Sequence, residues 1–159
     1  GADCPPSTTF LPNRILVPQV HRSALVAHPA SLMYALVNDV RSYPRWFAWC
    51  QAAEVLAEDD ASMLARLSLK VGPLQTGFTT RNLLLPFDRI ELSLVDGPLT
   101  RLSGGWHFRA LGEHGCRVGL DLEFDYAGGW LDGAFRLGFE RLANHMVDDF
   151  VRVAREHGR

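Results

Sequence analysis

The strongest pattern of apolar and polar positions lies in residues 130–159. There Leu131, Phe135, Phe139, Leu142, Met146, Phe150 and Val153 recur at steps of three and four. Asp132, Arg136, Glu140, Asn144, Asp148, Arg152 and Glu156 fall between them. One apolar stripe and one charged stripe predict a single amphipathic helix over 131–156, about 39 Å long at 1.5 Å per residue. Gly128 and Gly129 punctuate its start and Gly158 its end.

Upstream the period shortens to two. Met63, Ala65, Leu67, Leu69 and Val71 alternate with Leu64, Arg66, Ser68 and Lys70, so that strand buries one face. Gly72-Pro73 ends it, a strand over 75–85 follows, and Pro86 stops that one. Ile90, Leu92 and Leu94 form the next inward row, closed by Asp96-Gly97-Pro98. Leu102, Gly104, Trp106 and Phe108 follow, then a hairpin loop between Gly112 and Gly115. Val118, Leu120, Leu122, Phe124 and Tyr126 make the last row. A first strand is expected over 20–27 and a short one over 53–57. Between them, Pro29 opens a short helix with Met33, Leu36, Val37 and Val40 inward, and a one-turn helix covers 44–47. Residues 1–19, with Pro5, Pro6, Pro12 and Pro18, read as an irregular tail ahead of one domain over 20–159.

Hairpin succession gives an antiparallel sheet of about six to seven strands with one apolar face. The long helix is the element able to cover that face. The fold class is therefore α+β, a curved sheet gripping a C-terminal helix. Such a sheet seldom closes fully on one helix, so an apolar cavity is expected between them.

Composition narrows the function classes. Apolar residues at 47% and charged residues at 21% are ordinary for a globular domain. A net charge of −2 gives no global pull toward nucleic acid or anionic lipid, and DNA is not an expected partner. Cys4, Cys50 and Cys116 are odd in number and widely spaced, which suggests reduced thiols in the cytosol. No window reaches the roughly 18–20 apolar residues of a membrane span. The chain starts Gly1-Ala2-Asp3, so a removed leader stays open, as does peripheral membrane attachment.

Candidate chemistry is sparse. His21, His28, His107, His114, His145 and His157 lack metal-ligand spacing, and no catalytic residue, metal site or cofactor is expected. Asp121, Glu123 and Asp125 share one face of the last strand, the face opposite the buried one, and should be solvated. Cys50 reads as a small core thiol. Gly104-Gly105 inside a strand signals a bulge or a close backbone approach. Arg41 and Arg45 beside Trp46 form a small basic-aromatic patch.

Several segments carry a resemblance. They are Arg22-Ser23-Ala24-Leu25-Val26, Leu36-Val37-Asn38-Asp39-Val40, Tyr43-Pro44, Trp49-Cys50 and Phe78-Thr79-Thr80-Arg81-Asn82. Val95-Asp96-Gly97-Pro98, Gly104-Gly105-Trp106, Phe139-Glu140-Arg141 and Met146-Val147-Asp148-Asp149-Phe150-Val151 continue it. Together they resemble the START-like coenzyme Q-binding and ribosome-association-toxin family, filed with polyketide cyclase/dehydrase. Ala48 stands where that family's proline is expected before the tryptophan, and Leu99 where a phenylalanine is expected. The resemblance implies the helix-grip fold and binding rather than catalysis. Its first functional expectation is a carrier or chaperone that holds a quinone or other isoprenoid lipid. Phe47, Trp49, Leu67, Phe78, Leu92, Trp106, Phe135, Phe139, Leu142 and Met146 would line the cavity, with the Trp46–Trp49 stretch as a lid. Arg81 would either orient a head group or pair with Glu91 outside. The alternative is a translation inhibitor that associates with the large ribosomal subunit. A cyclase or dehydratase is the third reading, and needs an acid or base inside the cavity.

Overall fold

A computed structural model describes residues 19–126 and 133–157. The proline-rich tail before Gln19 lies outside the described residues, as do Gly128, Gly129, Leu131, Asp132 and Gly158. The chain runs β1 (Gln19–Val26), α1 (Ala30–Asn38), a 3₁₀ turn (Val40–Ser42), α2 (Tyr43–Trp46), β2 (Cys50–Glu58) and β3 (Ser62–Val71). It continues with β4 (Leu74–Leu85), β5 (Arg89–Asp96), β6 (Leu99–Ala110), β7 (Cys116–Tyr126) and α3 (Gly133–His157).

The sheet is antiparallel with strand order β1-β7-β6-β5-β4-β3-β2. The chain leaves β1 and crosses by the short helices to the far edge at β2. It then walks back by hairpins until β7 lies beside β1. The inward rows read from the alternation are the buried ones. Met63, Ala65, Leu69 and Val71 on β3 are buried, as are Val118, Leu120, Leu122 and Phe124 on β7. Helix α3 lies across this face against β1, β3 and β7, and also meets α1. Phe135, Phe139, Ala143, Val147, Phe150 and Val153 form its buried stripe, while Leu142 and Met146 are half-buried.

Strand β2 is longer than the expected 53–57. Its ladder with β3 shifts register between Cys50 and Ala52 and again between Val55 and Ala57. These irregularities erase the period-two signal that would have revealed its full length. Val40 lies outside α1, in the 3₁₀ turn, because Asp39 (φ −84°, ψ 65°) has already left helical geometry. The Gly104-Gly105 expectation holds. Gly104 has φ +125°, and a Cβ there would sit 2.0 Å from the Asp121 carbonyl oxygen. A Cβ on Gly105 would sit 2.2 Å from the Ile90 carbonyl oxygen. Both neighbouring strands press against bare backbone here.

Candidate functional site

Sheet and helix enclose a hollow of about 100 Å³. Of the residues expected to line it, Leu67, Phe78, Leu92, Trp106, Phe139, Leu142 and Met146 do so. They come from β3, β4, β5, β6 and one face of α3, and inward alternation brings them together. Val40, Tyr43, Asn82 and Ala143 also line it and were missed. Asn82 and Thr80 stand on the inward face of β4, where a polar side chain conceals the inward signal.

Phe47, Trp49 and Phe135 are placed elsewhere. Phe47 stacks on Trp49 with ring centroids 4.6 Å apart and meets Phe150 edge-on at 4.8 Å. Tyr43 adds edge contacts to Phe47 and Phe150. The indole Nε1 of Trp49 donates to Asp149 Oδ2 at 2.9 Å. An Arg152 guanidinium N–H donates to the Trp46 carbonyl at 3.4 Å. The stretch expected to be a lid is thus an aromatic plug pinned to the C-terminal half of α3. Phe135 packs at the other end, against Tyr126 and Phe139.

Arg81 is not at the hollow. It points from the outer face of β4, opposite Ser93 of β5, and lines a separate outer trough. Nor does it pair with Glu91, which pairs instead with Arg89 of its own strand at 3.2 Å. Arg89 and Glu91 are two residues apart on one strand face, whereas the register hands Arg81 a serine.

The hollow is almost wholly apolar. Among the described residues Tyr43 is its sole ionisable lining group, and its hydroxyl donates to the Val37 carbonyl. Burial pushes the Tyr43 phenol well above its ordinary range, so it stays protonated. Thr80 Oγ1 donates to Asn82 Oδ1 at 2.8 Å. Whichever way round the Asn82 amide is set, one of its polar ends has no partner among the described residues. The Trp106 indole N–H is likewise without an acceptor there. The wall can therefore offer hydrogen bonds to a small guest but no acid or base. Cys50 is buried, and burial pushes its thiol up to about 11, which keeps it un-ionised and non-nucleophilic at neutral pH.

On the outer face, Asp121, Glu123 and Asp125 point away from the core and meet basic side chains. Arg101 holds Asp125 at 3.1 Å and Glu123 at 3.5 Å. His21 and His107 flank Asp121 at 2.7 and 3.1 Å. In the basic-aromatic patch, Arg41 is paired with Glu58 at 3.1 Å, and Arg45 donates to Ser42 Oγ at 3.1 Å.

Residues 26–151 match the family described as polyketide cyclase / dehydrase and lipid transport. The chain belongs to that family. Among its relatives is the ribosome association toxin RatA of Pseudomonas aeruginosa, 45% identical over 137 residues, 86% of this chain and 95% of that protein. The persistence and stress-resistance toxin PasT of Escherichia coli is 39% identical, over 92% of this chain and 93% of that one. Among solved structures, the Zhui aromatase/cyclase from Streptomyces sp. R1128 superposes with a TM-score of 0.80. That match spans 90% of this chain and 96% of that one, at 21% identity. A START superfamily protein from Mycobacterium smegmatis gives a TM-score of 0.73 at 19% identity, over 87% and 97% of the two chains. At such identities these structures establish the helix-grip fold of this family member and nothing of its ligand. No helix among the described residues is long and apolar enough to cross a membrane.

Proposed function

We infer that this family member associates with the large ribosomal subunit and inhibits translation, acting in the cytoplasm. The observation that carries this reading is the 45% identity, over nearly the full length, to a protein named as a ribosome association toxin. The site geometry supports it by disfavouring the competing role. Cavities that hold drug-sized ligands measure about 300–1,000 Å³. A hollow of about 100 Å³ does not accommodate a polyprenyl chain without rebuilding the core. Among the described residues the hollow offers only the Tyr43 phenol, engaged with the Val37 carbonyl, as an ionisable group, which gives no support to cyclase or dehydratase chemistry.

The test is sedimentation. On expression in a bacterial host, the protein should travel with the large subunit through a sucrose gradient. The fraction of intact ribosomes should fall at the same time. Protein that stays at the top of the gradient, over an unchanged ribosome profile, refutes the reading.

A second reading concerns the hollow itself. Its unpartnered Asn82 amide end favours a small, neutral, ring-sized guest with a hydrogen-bonding group. It would rest on Leu67, Phe78, Leu92, Phe139, Leu142 and Met146. An engineered apolar cavity of about 150 Å³ in another protein takes up benzene, which sets the scale. Mass spectrometry of natively expressed protein should find such a molecule at near one-to-one stoichiometry. An isoprenoid quinone found in its place would restore the carrier role, and an empty protein would end this reading.

A further inference from the structure

The outer face of the sheet carries features that neither the hollow nor the aromatic plug explains. A trough of about 650 Å³ crosses strands β4 to β7. Ser62, Ser93, Ser103, Gly104 and Gly105 line it among larger side chains. Arg81, Ser93, Ser103 and Glu123 are cross-strand partners in one row, Glu123 being held by Arg101 at 3.5 Å, and Leu83, Glu91, Gly105 and Asp121 in the next. Gly105 has no side chain, and close strand approach forbids one.

Charge in the trough is unevenly satisfied. Glu91 is drawn off by Arg89, and Asp121 is held between His21 and His107. Both carboxylates that line the trough thus have partners of their own. Arg81 is exposed, and although its carbonyl accepts a bond from Ser93 Oγ at 3.4 Å, its guanidinium has no acid or hydrogen-bond partner among the described residues. Beyond His107, Arg109 of β6 stands directly opposite Arg117 of β7. Neither has a carboxylate partner among the described residues, and Arg117 donates only a long 3.4 Å bond to Ser23 Oγ. Like charges placed opposite each other in a sheet are destabilising. Here the arrangement leaves two guanidinium groups unneutralised on one exposed face. From β4 to β7 is three strand spacings, about 14 Å at 4.8 Å each, and Arg109 lies six residues, about 20 Å, along β6 from Ser103 in the row of Arg81.

We propose that this trough binds an unpaired stretch of RNA, a few nucleotides long, laid from Arg81 toward the Arg109–Arg117 pair. Guanidinium forks suit phosphates bidentately. Ser103 offers a hydroxyl to ribose and phosphate oxygens, while Ser93 Oγ already donates to the Arg81 carbonyl at 3.4 Å. The bare Gly105 floor beside the His107 imidazole leaves room for a flat base, the mode by which proteins read splayed single-stranded RNA. The trough lies within the usual volume range of a ligand site. The proposal rests on the ribosome-association reading and deepens it. It moves the contact away from the Arg41–Arg45 patch, where Arg41 is already paired.

The test uses the full chain and three variants: Arg81→Gln, the double variant Arg109→Gln/Arg117→Gln, and Arg41→Gln/Arg45→Gln. Binding is read by co-sedimentation with large subunits and by fluorescence anisotropy on a labelled ten-nucleotide oligouridylate. The first two variants should weaken both by roughly tenfold each. Each lost phosphate contact should flatten the plot of log affinity against log salt by about 0.7. The third variant should bind like the parent. Thermal melting should be unchanged in Arg81→Gln and unchanged or raised in the double variant, since a repulsion is removed. Weak binding with intact melting therefore marks a functional surface. If the parent sediments with ribosomes and all variants do too, the trough proposal falls and ribosome association stands. If the parent fails to sediment, the association reading falls, and the oligouridylate titration still decides whether the trough binds RNA. Photo-cross-linking from Ser93→p-benzoylphenylalanine should label ribosomal RNA. Labelling of ribosomal protein alone would overturn the choice of RNA.

Discussion

Filling the hollow is the most direct check on its emptiness. Ala65 is 2% exposed and lines the space from β3. Ala65→Val adds two carbon atoms toward it on a strand, where valine is well suited. Two estimates bound the effect. A void of about 100 Å³, at roughly 24 cal/mol per Å³, forfeits about 2.4 kcal/mol. Two newly buried carbons at about 0.8 kcal/mol each return at most about 1.6 kcal/mol. Some side-chain entropy and imperfect fit reduce this to about 1 kcal/mol. In a domain of this size that raises Tm by about 2–4 °C. Urea unfolding and thermal melting both read it. Ribosome co-sedimentation should not change, because nothing outside the core is altered. A fall in stability of 1 kcal/mol or more would show that the space is not free, either because the walls cannot yield or because a guest fills it. Loss of co-sedimentation with the fold intact would refute the view that the hollow plays no part in the association.

Other outcomes follow from single contacts. Asp149→Ala orphans the half-buried Trp49 indole N–H and loosens the plug on α3, at a cost of about 1–2 kcal/mol in urea unfolding. Cys50, with its thiol raised to about 11, should resist maleimide at pH 7 in the native protein, react faster as pH approaches 11, and label promptly in denaturant. The buried Tyr43 phenol is raised above its ordinary 10.0. The unfolded chain therefore ionises Tyr43 first. Stability from this group is fully present below pH 10 and falls as pH climbs beyond it. Tyr43→Phe should flatten that alkaline limb, while costing about 1–3 kcal/mol at neutral pH because the Val37 carbonyl loses its donor. Gly104→Ala places a Cβ 2.0 Å from the Asp121 carbonyl at a backbone angle hostile to side chains, and should abolish cooperative melting at growth temperature.

The alternation of Met63, Ala65, Leu67, Leu69 and Val71 and the apolar stripe from Phe135 to Val153 on α3 were enough, read as sequence, to set the architecture. Each encodes its inward face locally, in a period of two or three to four residues. The same alternation correctly turned Asp121, Glu123, Asp125 and His107 outward. Strand β2 escaped because its bulged ladder breaks the period. Asn82 escaped because a polar side chain at an inward position contradicts the apolar pattern.

Tertiary structure alone decided where the aromatic groups went and what the charges met. Phe47 and Trp49 read from the sequence as cavity lining in a lid. Their partners Phe150 and Asp149 lie about a hundred residues away, and no local period encodes that distance. For Arg81 the pattern left two placements open, at a ligand head group or outside against Glu91, and strand register determined that serine stands across from it. Cavity volume is a small remainder left after many large side chains from several elements have packed. A shift of an ångström among them changes it severalfold, so the same apolar sequence pattern is compatible with a lipid tunnel or with the small hollow found here.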